Sequence, residues 1–257
     1  MVETFALALR RDEYTHILLI LPITTALLYT EWPSVPSKHE GRYRWSSTLL
    51  VVAGLAGITA VLAGHGDLQM SLGVAAIIIW CLGSFSFCFG GVAFRALLFP
   101  LCFLFFLVPI PEVALNRIIA FWQQGSAFAA TLLFSAAGIP VVRDSIVLSI
   151  PGLTLEIAQE CSSLRSSLML LVATMVLAHL FLRSTWRKIF LVLVAVPLSI
   201  AKNGVRIFTI SMLGIRVNSA FLHGRLHRNG GIVFFSLALL AILLLLWLLG
   251  RRERWVD

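Results

Sequence analysis

The stretch EIAQECSSLRSSLMLLV, residues 156–172, carries two glutamates, a cysteine and an arginine at the mouth of an almost purely apolar run. The run continues to residue 182 and meets its next formal charge at Arg183. Its length decides the fold class, because about 20 apolar residues in a helix cover the roughly 30 Å hydrocarbon layer of a bilayer. Comparable runs recur along the chain, at 14–31, 46–64, 70–89, 92–110, 113–137, 162–182, 187–213 and 231–250. Of the 257 residues, 59% are hydrophobic and only 12% charged, about half the charged share of an ordinary soluble domain. The expected architecture is an all-α integral membrane protein: one domain over residues 1–257, built as a bundle of about eight transmembrane helices, with no separate soluble domain of useful size.

The net charge of +8 is unevenly placed. Residues 1–160 hold 8 Lys and Arg against 10 Asp and Glu, a balance of −2, while residues 161–257 hold 12 against 2, a balance of +10. Arg183, Arg187, Lys188, Arg251, Arg252 and Arg254 flank spans, as cytoplasmic positive charges do. With both groups in the cytoplasm, the span after Cys161 runs inward, the next outward and the last inward. Cys161, Arg206 and His227 then fall near the outer face. Arg165, Lys202, Arg206, Arg216, Arg225 and Arg228 are not explained by that rule. They are interleaved with spans rather than gathered on a soluble face, so the partner is membrane lipid and not nucleic acid.

The N-terminal run to Thr30 follows Arg10, Arg11, Asp12 and Glu13 and has no small-residue cleavage site after it, which reads as a retained first span. The loop EWPSVPSKHEGRYRW, 31–45, suits an interfacial connection with Trp32 and Trp45 at headgroup level. Ala56, Ala60 and Gly64 are small residues at helical spacing and read as close-packing positions between helices. Segment 113–137 contains Asn116, Arg117, Gln123 and Gln124, and either spans inside the bundle or lies on the surface. Between the halves, in GIPVVRDSIVLSIPGLTLEIA (138–158), the apolar period changes from helical to alternating. Ile146, Leu148 and Ile150 alternate with polar residues, Pro151-Gly152 supplies a turn, and Leu153, Leu155 and Ile157 alternate again. This predicts a small extracytoplasmic hairpin just before the helix at 162, whose strand edge either accepts an extended peptide or simply packs on the helix ends.

Ionisable groups inside spans are costly and are functional candidates by default. Glu160, Cys161 and Arg165 form the first cluster, with Cys161 and Arg165 one helical turn apart. A thiol in a first helical turn beside a guanidinium is favoured as the nucleophilic thiolate; the structural alternative is an arginine that snorkels to headgroups. Ser162, Ser163, Ser166 and Ser167 add polarity around it. Lys202, Asn203 and Arg206 in AKNGVRIFTI (201–210) form the second, on one face of an otherwise apolar segment. Such a guanidinium suits a developing oxyanion or a carboxylate, Asn203 either orients it or meets a peptide backbone, and the alternative is an interhelical hydrogen bond. His223 and His227, four apart in FLHGRLHRNGGIVFF (221–235), form the third. A cysteine with a histidine is a minimal acyl-transfer apparatus, and no thiol or carboxylate set accompanies the histidines to make a metal site. Cys81, Cys88 and Cys102 lie in apolar runs and read as small hydrophobes.

In order and spacing, FPLCFLFFLVPIP (99–111), GIPVVRD (138–144), LEIAQECSSLRS (155–166), NGVRI (203–207) and LHRNGGIVFF (226–235) resemble the blocks of the exosortases and archaeosortases. The resemblance covers roughly residues 90–250. It divides the chain into variable N-terminal helices, 1–90, and a catalytic core, 91–257. It implies a membrane cysteine transpeptidase in which Cys161 is the nucleophile, Arg206 the oxyanion partner and His227, rather than His223, the acid and base. Glu160, Arg165, Asn203 and Arg228 are the candidate substrate-binding residues around them. The family usually has glycine two residues after the cysteine, where this chain has Ser163. The implied partner is the C-terminal sorting tail of a secreted protein, with a Pro-Glu-Pro-like motif, presented at the outer face of a bacterial inner membrane. No cofactor or metal is implied. Two other readings are a non-enzymatic component of exopolysaccharide export that binds anionic lipid or glycan, and a peptidase using Glu156 or Glu160. A transporter's inverted repeats are not found in the sequence.

Overall fold

The computed structural model describes residues 14–35, 44–63, 68–157, 164–217 and 225–254. Among these, six helices are long and apolar enough to cross a membrane. The residues group into two compact units, 1–115 and 116–257.

In the first unit, α1 is Ile17–Glu31, α2 Arg44–Ala63, α3 Gln69–Ala96 and α4 Leu98–Phe103, followed by a 3₁₀ turn over Leu104–Leu107. Helices α2 and α3 approach closely because their contact positions lack side chains. A Cβ on Gly54 would meet the Trp80 backbone at 2.6 Å, and one on Gly83 would meet the backbone of Val51 at 2.6 Å. Gly57 faces Ala76 in the same seam. This corrects the packing expected of Ala56 and Ala60, which point outward; the seam follows Gly54 and Gly57, where the backbones can approach. Gly64 lies outside the described residues. Ser47 and Ser86 share a hydrogen bond of 2.8 Å across the pair, which satisfies both hydroxyls inside an apolar contact.

The apolar window 92–110 is not a helix of its own. Its first residues complete α3, which passes through a kink at Gly90, a position with φ +82° that favours glycine. The remainder, Leu98–Leu107, is only ten residues long, about 15 Å of helix. Pro109 and Pro111 follow, and each biases the residue before it away from the helical region. The hydroxyls of Tyr14 and Ser71 donate to the freed carbonyls of Ile110 (2.9 Å) and Pro109 (2.7 Å).

In the second unit, α5 is Glu112–Ala136, its first residues lying before the boundary. Three strands follow: β1 Val142–Asp144, β2 Val147–Ile150 and β3 Leu153–Glu156. They form an antiparallel sheet in the order β1-β2-β3, with Asp144 opposite Val147 and Ile150 opposite Leu153. The β2–β3 turn is Pro151-Gly152, and Gly152 has φ +84°, as the third position of a type II turn with proline before it requires. Strand β1 adds to the expected hairpin. All three of its residues are exposed, so it carries no alternation to read. Leu148, Ile150 and Ile157 are buried against Ala127, Ala130 and Phe134 of α5.

Helices α6 (Leu164–Phe181), α7 (Thr185–Arg216) and α8 (Arg225–Arg254) complete this unit. Leu170, Ala178, Leu191, Ala195, Ala238, Ile242 and Leu246 make their shared core. The segment Leu182–Ser184 joins α6 to α7, which therefore run antiparallel. Near the start of α7, Arg187 Nη1 donates to the carbonyl of Leu249 near the end of α8 (3.1 Å), so α7 and α8 are antiparallel as well.

Candidate active site

The direction of the three helices fixes which ends meet. The α6–α7 connection, the start of α7 and the end of α8 share one end of the layer; the first turn of α6, the later half of α7 and the first turn of α8 share the other. On α7, Lys202 is 7% exposed, and its Nζ donates to Ser166 Oγ on α6 at 2.5 Å. This bond ties the start of α6 to the turn of α7 that bears Arg206. Nineteen residues along α7 from Arg187 stands Arg206; nineteen back along α8 from Leu249 stands Gly230, within one turn of His227.

Arg206 is half-buried and Arg165 is exposed on the first turn of α6. Asn203 is 1% exposed and its Nδ2 donates to Ser126 Oγ of α5 at 2.8 Å. That contact is permitted by Gly204, where a Cβ would lie 2.5 Å from the Cβ of Ala129. Phe134 and Phe208 continue the α5–α7 seam in an edge-to-face pair at 5.0 Å. One turn before Ser126, the buried amide of Gln123 donates to the carbonyl of Ile157 at 2.8 Å. Ile157 is the last described residue before the segment that carries Cys161.

Glu160 and Cys161 lie outside the described residues, as does His223. His227 and Arg228 belong to the backbone of α8, and their side chains lie outside the description. The structure thus brings Lys202, one turn from Arg206, to Ser166 at the start of α6, while Asn203 turns to Ser126 of α5. Cys161 stands five residues before Ser166 in the sequence. Sequence reasoning does not mark Gln123 and Ser126 as parts of the site, and it reads Ser166 only as polarity near the cysteine. Gln123 is visible as a polar residue in a span; the partners of all three come from distant segments.

The family model for the transmembrane exosortases matches residues 8–247. The chain belongs to the transmembrane exosortase family. No curated protein and no solved structure matches it. The exosortase blocks quoted above all fall inside the match, which also takes in the helices before residue 90. Membership makes this exosortase a multi-pass membrane protein with a membrane transpeptidase role in general terms, acting on sorting-signal substrates. In such a role the polar groups on the later half of α7 have a use that packing alone would not require. A guanidinium and an ammonium in a span are expensive unless water, a partner or a substrate meets them.

Proposed function

We propose that the protein is a cysteine transpeptidase that cleaves the C-terminal sorting tail of secreted proteins at the extracytoplasmic face of the inner membrane. The observation that carries this reading is the helix arrangement: the start of α6, the Lys202–Arg206 stretch of α7 and the start of α8 share one end of the layer. The opposite end gathers Arg183, Arg187, Lys188, Arg251, Arg252 and Arg254, and positive charge favours the cytoplasm for that end.

The thiolate of Cys161 attacks the scissile carbonyl carbon, forming a C–S bond and a tetrahedral oxyanion. Arg206 stabilises that charge with its planar donors. The C–N bond then breaks, His227 gives its proton to the leaving amine, and a thioester remains on Cys161. His227 next takes a proton from an acceptor nucleophile or water, which attacks the thioester and releases the thiolate. Asn203, buried against Ser126, orients the turn that holds Arg206. Arg165, Arg228 and Glu160 line the approach of the sorting motif, where Arg165, Arg225 and Arg228 attract its glutamate.

The test is a trapped intermediate. Incubating the purified exosortase with a reporter bearing a Pro-Glu-Pro-type tail should give, by mass spectrometry, a reporter fragment on Cys161 that hydroxylamine removes. Processing that continues in Cys161→Ala overturns the reading.

A further inference from the structure

We propose that Gln123 and Ser126 of α5 are positioning residues that set the spacing between the two halves of the site, an inference that rests on the transpeptidase reading. They lie three residues apart, so they share one face of α5. Each reaches a different half of the site. Gln123 Nε2 holds the carbonyl of Ile157 at 2.8 Å, 34 residues away in the chain, at the end of the strand segment that leads to Cys161. Ser126 Oγ accepts from Asn203 Nδ2 at 2.8 Å, 77 residues away, three residues before Arg206.

Both bonds are buried, and Gln123 stands near the middle of a helix long enough to cross the membrane. The carbonyl of Ile157 follows the last strand residue, and a backbone carbonyl buried there needs an internal partner. Gln123 supplies it. The rest of the α5–α7 seam is built for rigidity: a Cβ on Gly125 would meet Ile200 at 3.0 Å, and Gly204 sits directly on Ala129. Helix α5 therefore serves as a ruler. One side chain fixes the strand end at Ile157, four residues before Cys161 in the sequence, and the next on the same face fixes the turn of α7, so that this strand end and the helix bearing the guanidinium are registered to one rigid element. Reaction rates depend steeply on such registration.

The experiment has a structural arm and a kinetic arm. For the first, the full chain with Cys81, Cys88, Cys102 and Cys161 replaced by alanine carries spin labels through Thr154→Cys and Val205→Cys, both exposed positions. Pulsed electron spin resonance in lipid nanodiscs should give a narrow distance distribution, broadened or shifted by Gln123→Met and left alone by Gln124→Met at the exposed neighbour. For the second, the cysteine-containing chain processes a reporter with a Pro-Glu-Pro-type tail. Gln123→Met should lower kcat about tenfold or more and leave KM within about twofold, while Gln123→Asn, which keeps the amide, retains more of the rate. An unchanged distance distribution or an unchanged kcat in Gln123→Met overturns the proposal. If the parent chain processes no reporter, the transpeptidase reading falls, and the distance distributions alone then decide whether the clamp exists.

Discussion

Lys202 is the residue whose environment asks most of the fold. An ammonium buried in a span is stabilised only by the groups that face it, and Ser166 Oγ accepts its hydrogen bond. Removing the acceptor leaves a buried cation with one partner fewer, at a cost of about 1–3 kcal/mol. Removing the cation relieves its desolvation. Ser166→Ala is therefore expected to lower the thermal midpoint in detergent, and Lys202→Met to leave it level or raise it. A large loss of stability in Lys202→Met, with none in Ser166→Ala, would show that the ammonium is held by something other than this bond. The polar face made by Lys202, Asn203 and Arg206 was legible from sequence, because spacings of three and four in an apolar helix are local facts. Their partners were not. Ser166 is 36 residues from Lys202 and Ser126 is 77 from Asn203, and no pattern within one helix encodes such a pairing.

At the scale of elements, the α5–α7 seam depends on Gly204. An added Cβ there would overlap Ala129 Cβ at 2.5 Å and sit 3.1 Å from its backbone, so the helices must separate. Gly204→Ala is expected to cost about 1–3 kcal/mol and to reduce processing, because Arg206 is two residues away. Adding Ala129→Gly should restore much of the thermal stability, and a double variant no better than the single one would contradict the seam. Hydropathy found α5 to α8 and the β2–β3 turn because length, alternation and Pro-Gly are all written locally. It misjudged residues 92–110 because a helix that continues through a kink at Gly90 looks the same, in composition, as one span ending and another beginning. Strand β1 escaped notice for a related reason: its three exposed residues carry no buried face, and only its pairing with β2 defines it.

Across the whole molecule, the asymmetry of charge is a statement about sidedness. The α6–α7 connection carries Arg183, the first turn of α7 carries Arg187 and Lys188, and Arg251 stacks over Trp247 at 4.5 Å near the end of α8, in keeping with a belt of aromatic and basic residues at an interface. In intact cells, with Cys81, Cys88, Cys102 and Cys161 replaced by alanine, a membrane-impermeant thiol reagent should label Thr154→Cys and leave Trp186→Cys unlabelled until the membrane is opened; the reverse pattern would invert the proposed topology. The central claim is narrower. The thiol of Cys161, the guanidinium of Arg206 and the imidazole of His227 work around one shared pocket. The most direct measurement bridges two of these positions without any substrate. In a chain with Cys81, Cys88 and Cys102 replaced by alanine and carrying His227→Cys, dibromobimane should link Cys161 to the introduced thiol and fluoresce, whereas with Trp247→Cys in place of His227→Cys it should not. Absence of the link at position 227 in protein whose two thiols both react with a monofunctional reagent would contradict the account.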